Sequence, residues 1–299
     1  MAQTRMQTRL VEKKMSDVEM SKNNFDTMQK EELESPGDIF EHVGPEIGLQ
    51  SVPGEIKTWS LWRGAIAECF GMTLFLFFAI GTVSSTSKYS AENGFTDLDS
   101  GRHWIIASVF GFMIAILVYA IAPASGGNLN PAVSLALMTT KKISPLRAAV
   151  YIAAQCIGAA IGCSLVKAMS DKRYDAIGGA INQVESGYSL SGAFLGEVLG
   201  TMLLIFVVLS AVDKNNGHPE RMNMKQSHGV ATIGLCVTMA HCVLVPITNC
   251  SINPARSFGA SVVAGKYPDH WLFWVAPILG GQISAFVYEV ILKDRPGWE

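Results

Sequence analysis

Six long apolar stretches constrain this chain more than anything else in it, at about 61–86, 103–123, 147–169, 191–212, 229–248 and 270–292. Each holds about 20 residues or more, and at ~1.5 Å rise per residue a helix of that length crosses a ~30 Å hydrocarbon core. Tilted barrel strands need only roughly 9–11 residues, so the stretches read as helices and the chain as an all-α membrane protein. The charge distribution agrees. Only 16% of the residues are charged, against about 25% in a soluble domain. Seven of the 23 Lys/Arg and eleven of the 25 Asp/Glu fall within residues 1–59, leaving the rest too apolar for a soluble surface. The net charge of −2 offers no basic face for nucleic acid. Five of the six Cys lie in or against apolar runs and read as buried thiols, not as a disulfide framework.

The ends differ from the body. Residues 1–55 are polar, with no apolar run of ten, and are expected to form a disordered cytosolic tail. The first 30 residues lack the apolar core of a signal peptide. Residues 56–292 form the membrane body and 293–299 a short cytosolic tail. An even number of spans puts both ends on one side. With that side inside, the inner segments collect Arg63, Lys141, Lys142, Arg147, Lys214, Arg221, Lys225, Lys293 and Arg295 besides the tail's own. The outer segments carry Lys88, Arg102, Lys172, Arg173 and Lys266. The excess of short-loop Lys/Arg therefore predicts cytoplasmic N- and C-termini.

The body repeats itself. AECFGMTLFL at 67–76 is echoed by GEVLGTMLLI at 196–205, placing Glu68 and Glu197 early in their spans. NLNPAVS at 128–134 is echoed by SINPARS at 251–257, and AAQCIGA at 153–159 by GGQISA at 280–285. Three landmarks in one order make a duplication, with repeat one at about 60–169 and repeat two at about 190–292. Each half holds three spans. An odd number forces the halves to be inverted about an axis in the membrane plane.

Each NPA stretch precedes an apolar run too short to cross: AVSLALM at 132–138 and ARSFGASVVA at 255–264. Asn130 and Asn253 stand where a helix cap belongs, and Pro131 and Pro254 at the first helical position. Two half-helices therefore open at membrane depth, where non-helical backbone survives only against protein or a water-filled cavity. Inversion points their N-termini at each other. Both Asn amides then donate into one lumen, and both positive dipole ends repel a cation there.

SGGNLNPAV at 125–133 and NCSINPARSFG at 249–259 resemble the motifs of the aquaporins, the major intrinsic protein family, and the resemblance covers about 60–292. YIAAQCIGAAIG at 151–162 and KTWSLWRGAIAE at 57–68 resemble its plasma-membrane-intrinsic branch. The resemblance implies six transmembrane helices plus two re-entrant half-helices, a homotetramer, a pore in each protomer and a plasma-membrane location. The NPA residues Asn130, Pro131, Ala132, Asn253, Pro254 and Ala255 are implied to form its centre, and Phe110, His241, Cys250 and Arg256 its narrow filter. Such a filter resembles that of strict water channels, with Ser257 where glycerol conductors usually carry Asp. His241 adds bulk and Arg256 a fixed positive charge. An Arg inside a membrane run is costly and defaults to a functional role.

Glu68 and Glu197 are read as scaffold acids accepting from loop N–H groups, with Gln155 and Gln282 in the same inner network. Cys250, placed at the mouth, is the expected target of a mercurial block. Asn249-Cys250-Ser251 is a formal glycosylation sequon, rejected because the loop is expected to be buried. The branch resemblance also implies a gating loop at about 213–228 and a phosphorylatable serine at Ser144, hence a protein kinase as partner. The branch's gating histidine has no clean match: a gap-free reading lands on Met224, with His218 and His228 nearby. No nucleophile–base pair or metal cluster is recognisable, so no enzyme activity, cofactor or metal is expected. The reading is a passive water-selective channel in a lipid bilayer. Two alternatives stay open. One is a broader facilitator of hydrogen peroxide, glycerol, ammonia or carbon dioxide; the other is a weakly conducting structural or junction protein.

Overall fold

The computed structural model describes residues 54–92, 100–169, 171–213 and 219–292, the side chains of 88–92 and 219–227 excepted. Most of the expected N-terminal tail, the C-terminal tail 293–299 and His218 lie outside the described residues, as does the side chain of Met224. Nine α-helices are found among those described: α1 Trp59–Glu92, α2 Ser100–Ser125, α3 Pro131–Thr139, α4 Pro145–Met169, α5 Asp171–Ala176, α6 Leu190–Val212, α7 Pro219–Thr248, α8 Pro254–Ala264 and α9 Leu272–Val287. No strand occurs among the described residues.

Six of these helices are long and apolar enough to cross a membrane, over 59–87, 100–125, 145–169, 190–212, 228–248 and 272–292. They match the six apolar stretches of the sequence. The chain is a multi-pass membrane protein. Its outward faces are apolar, as on α1, where Trp62, Ile66 and Phe70 recur at four-residue spacing and are exposed. α3 and α8 are the two half-helices.

The order of packing is that of an inverted repeat. α1 packs on α4 as α6 packs on α9, and α1 meets α2 as α6 meets α7. The halves interlock: α8 lies against α4, and α3 lies against α9. Lipid is as apolar as Leu, so close backbone approach must hold such helices together. A Cβ at Gly158 would strike the Cys69 carbonyl on α1, and one at Gly280 would strike the Val198 carbonyl on α6. Cys69 and Val198 each follow the buried acid of their span, so Gly158 and Gly280 are structural mates.

That pairing corrects the repeat. Shifting back three residues from each glycine sets Gln155 opposite Pro277, not opposite Gln282. The Gln-to-Gln match of the sequence is five residues out of register, which turns Gln282 to another part of the α9 surface. Two expected boundaries also move. The segment expected as a loop at 213–228 is helical from Pro219, a proline at the first position of α7. At the other end, Glu55, assigned to the tail, sits in a 3-10 turn at Glu55–Lys57 and is buried. The reason is a long-range ion pair: Arg147 Nε donates to Glu55 at 3.0 Å.

Candidate functional site

Two loops meet at the centre. Leu129 and Ile252 precede the two NPA asparagines, and both hold left-handed backbone, with φ of 50° and 43°. That conformation is strained for an isoleucine. Buried acids hold it in place. Glu68 accepts from Asn128 N at 2.9 Å, Leu129 N at 2.6 Å and Ser125 Oγ at 2.6 Å. Glu197 accepts from Ser251 N at 2.8 Å, Ile252 N at 2.7 Å and Thr248 Oγ1 at 2.6 Å. The two cradles are the same object built twice. Each carboxylate is fully buried and satisfied by donors, as a buried charge requires.

Each cradle presents a capped half-helix. Asn130 Oδ1 accepts from Ala132 N at 2.9 Å, and Asn253 Oδ1 from Ala255 N at 3.1 Å and Arg256 N at 3.3 Å. Pro131 and Pro254 open α3 and α8. The amide nitrogens cross over. Asn130 Nδ2 donates to the Ile252 carbonyl and Asn253 Nδ2 to the Leu129 carbonyl, both at 2.8 Å. One hydrogen of each amide therefore ties the halves together, and one is left. Both asparagines line a narrow internal passage of about 40 Å³. Its wall is otherwise largely apolar, running through Val133, Leu137, Leu204 and Val208.

At one end the passage meets a wide mouth of about 540 Å³, bordered by Arg102, His103, Glu185, Tyr188 and Arg256. Phe110 lines both cavities. Its ring lies 4.3 Å from that of His241, centroid to centroid, tilted by 32°. The Arg256 guanidinium carbon lies 5.5 Å from the centre of the same ring. Phe110, His241 and Arg256 thus converge at the junction, from α2, α7 and α8. His241 Nδ1 lies 2.9 Å from the Val237 carbonyl. A carbonyl only accepts, so that nitrogen carries the proton, and Nε2 of the neutral ring is an acceptor. Among the described residues, His241 Nε2 and Arg256 Nε have no hydrogen-bond partner. The constriction thus holds an unpaired acceptor and an unpaired donor.

The other predicted residues are placed as follows. Cys250 is fully buried and is not among the residues lining either cavity. Gln155 joins the Glu68 cradle, donating to Oε2 at 2.8 Å. Gln282 does not join the Glu197 cradle. It accepts from Thr139 Oγ1 at 2.7 Å, linking α9 to the far end of α3. Pro277 stands at Gln155's mate position and brings no donor. Asn249 is half-buried, and its amide is committed to Glu185 at 2.9 Å. Ser144 is fully buried. It caps α4 by accepting from Arg147 N at 3.0 Å and donates to Glu55. His228 is exposed at the start of the fifth membrane stretch.

Sequence reasoning missed Ser125 and Thr248, which steady the acids, and Asn182, which grips Arg256. The first two could have been found as a matched hydroxyl pair 123 residues apart, the same offset as the two NPA asparagines. Asn182 lies in the link between repeats and has no mate to betray it.

The major intrinsic protein family model matches residues 55–288, nearly the whole of the described chain. The chain belongs to the major intrinsic protein family. Among relatives, it is 39% identical over 277 residues to an "Aquaporin PIP-type" of Atriplex canescens, spanning 89% of this chain and 94% of that one. It is 41% identical over 248 residues to Aquaporin PIP2-1 of Arabidopsis thaliana, spanning 80% and 84%. In fold it is similar to the aquaglyceroporin of Plasmodium falciparum, with a TM-score of 0.64 at 24% identity over 77% of this chain and 96% of that one. The fold is therefore that of an aquaporin, and the chain a membrane channel of this family.

Proposed function

We propose that the chain is a water-selective channel carrying water in single file down an osmotic gradient. The observation that carries this reading is the convergence of Phe110, His241 and Arg256 where the mouth narrows. A ring of that make-up leaves an acceptor on His241 and a donor on Arg256 unpaired, which suits a water molecule. Glycerol would need a wider and partly apolar slot to seat its carbons. Below the ring, the crossed asparagines each keep one amide hydrogen for the central water. A water whose oxygen is held by both cannot relay a proton, and the fixed positive charge of Arg256 adds a barrier to cations.

The Lys/Arg distribution supports cytoplasmic termini, so the wide mouth faces outward and the Ser144 region inward. Kinship with the PIP-type aquaporins supports a plasma-membrane location, and the resemblance of the motifs to the family implies a homotetramer. Regulation fits the inward end. Ser144 is buried against Glu55, so a kinase needs that contact open before it reaches the hydroxyl. A phosphate there adds roughly −2 charge against the Glu55 carboxylate and keeps it open.

Stopped-flow light scattering on proteoliposomes tests the reading. Shrinkage against an impermeant osmolyte should be fast and of low activation energy, and glycerol entry should match empty liposomes. Glycerol entry above that level would favour the broader facilitator. Water flux no faster than empty liposomes would favour a closed or structural protein.

A further inference from the structure

The arginine of the constriction is gripped by a residue that belongs to neither repeat. We propose that Asn182, in the link between the halves, is the positioning residue that sets where Arg256 stands in the pore and so which solutes pass. This rests on the water-channel reading.

Asn182 is 1% exposed, and both ends of its amide are hydrogen-bonded. Oδ1 accepts from Arg256 Nη1 at 2.6 Å and from Ser257 Oγ at 2.7 Å. Nδ2 donates to the Thr248 carbonyl at 2.9 Å. Arg256 has donors only, so the amide stands in this orientation; flipped, it would set N–H groups against the guanidinium. The donor end is anchored as firmly as the acceptor end, because the Thr248 hydroxyl donates to Glu197 at 2.6 Å. One continuous line of hydrogen bonds thus runs from the Glu197 cradle through Thr248 and Asn182 to Arg256. Position in the pore is tied to the element that holds the second NPA loop.

Two further acceptors touch the guanidinium. Nη1 reaches the Ala180 carbonyl at 2.8 Å, and Nη2 the Asn249 carbonyl at 3.3 Å. Both are backbone. Among the described residues Asn182 supplies the one side-chain acceptor, at the shortest of the three distances. It is also neutral. An amide holds the guanidinium without cancelling its charge, which the exclusion of cations requires. A carboxylate at this position would do the first and undo the second.

The asymmetry of the repeat points the same way. In the first half, the serine four residues after the NPA asparagine, Ser134, accepts from Gln155 at 3.1 Å. In the second half Gln155's mate is Pro277, and Ser257 turns instead to Asn182. The inner partner is replaced by one from the link, and the same oxygen then also serves Arg256. Only the second half carries an arginine after its NPA, and it is that half's serine that bonds to Asn182 of the link.

The test reads the ratio of glycerol to water permeability in proteoliposomes of the full chain, for wild type, Asn182→Ala and Asn182→Asp. Both fluxes are taken above those of empty liposomes and per folded protein, so a merely structural loss lowers water flux without producing any glycerol entry. Asn182→Ala should raise the ratio roughly tenfold, the scale by which one lost pocket contact relaxes discrimination. Asn182→Asp keeps an oxygen on Arg256 and should return the ratio towards wild type. Where Asn182→Ala does not fold, Asn182→Ser, polar but one atom too short to reach, is read the same way. An unchanged ratio in Asn182→Ala or Asn182→Ser overturns the proposal. So does an equal rise in Asn182→Asp, which would mean that the bond to Thr248 matters and the grip on Arg256 does not. A wild type that already passes glycerol sinks the water-selective reading instead; Asn182→Ala must still move the ratio there, or this inference fails as well.

Discussion

At the scale of single residues, what matters is which polar atoms are spent on structure and which are left over. Glu197 spends both oxygens on Ser251 N, Ile252 N and Thr248 Oγ1. Glu197→Gln would turn an N–H₂ towards these donors. A buried group left unpaired in this way costs about 3 kcal/mol, which should appear as a lower melting temperature of the purified protein. Gln282, whose one hydrogen-bond partner among the described residues is the exposed hydroxyl of Thr139, should tolerate Gln282→Ala within about 0.5 kcal/mol. A large loss there would return Gln282 to an inner network. Phe110 and His241 are spent differently, on width. Phe110→Ala combined with His241→Ala should let glycerol enter liposomes well above background. Glycerol entry that stays at background would place the discriminating step elsewhere along the passage.

Helices set the distances between those residues. Phe110 on α2 meets His241 on α7 because the two helices touch along glycine. A Cβ at Gly111 would strike the Thr238 hydroxyl and the Gly234 carbonyl, both on α7. Gly111→Ala must push the helices apart or strain them, at about 1–3 kcal/mol. Thermal melting of the purified protein measures the cost. The same push should widen the Phe110–His241 gap and raise glycerol entry. A second junction, between α8 and α9, is sensitive to acid. Trp274 Nε1 donates to His270 Nε2 at 3.2 Å, and His270 Nδ1 lies 3.2 Å from Ser261 Oγ. Desolvation holds the His270 imidazole below its ordinary value of 6.5. Below that value the unfolded chain binds the extra proton more readily, so stability falls as the pH drops through the region beneath 6.5. Protonated Nε2 would also face the Trp274 donor. His270→Gln should flatten that part of a melting-temperature profile between pH 7.5 and 5.5, and an unaltered profile would assign the acid sensitivity to another group.

Across the whole molecule, the third membrane helix is tied to the segment that precedes the first. Glu55, Ser144 and Arg147 form one hydrogen-bonded knot between the approach to α1 and the cap of α4. Ser144→Glu puts a second carboxylate into it and should release the segment. Under the gating proposal osmotic flux through proteoliposomes then rises; an unchanged flux leaves Ser144 as a helix cap alone. Much of the architecture could be read without coordinates. Six spans follow from the length of the apolar runs, and the inversion follows from three spans per half. The capped half-helices follow from Asn before Pro, because hydrocarbon leaves a backbone few ways to satisfy itself. Phe110, His241 and Arg256 were legible through kinship, by counting from the NPA motifs. Other features depended on through-space contact. Pro277, not Gln282, is the mate of Gln155, because register is decided where Gly158 and Gly280 touch opposing carbonyls. Cys250 is fully buried and absent from the linings of both cavities, since counting from a motif does not say which way a side chain faces. Glu55 is buried, since Arg147 reaches it across 92 residues of sequence. Asn182 is the clearest case. A polar residue in a link between repeats carries no local pattern, and its partners Arg256, Ser257 and Thr248 come from the far end of the chain. Local patterning specifies elements that must satisfy themselves against lipid; contacts between distant side chains exist only once the halves have interlocked.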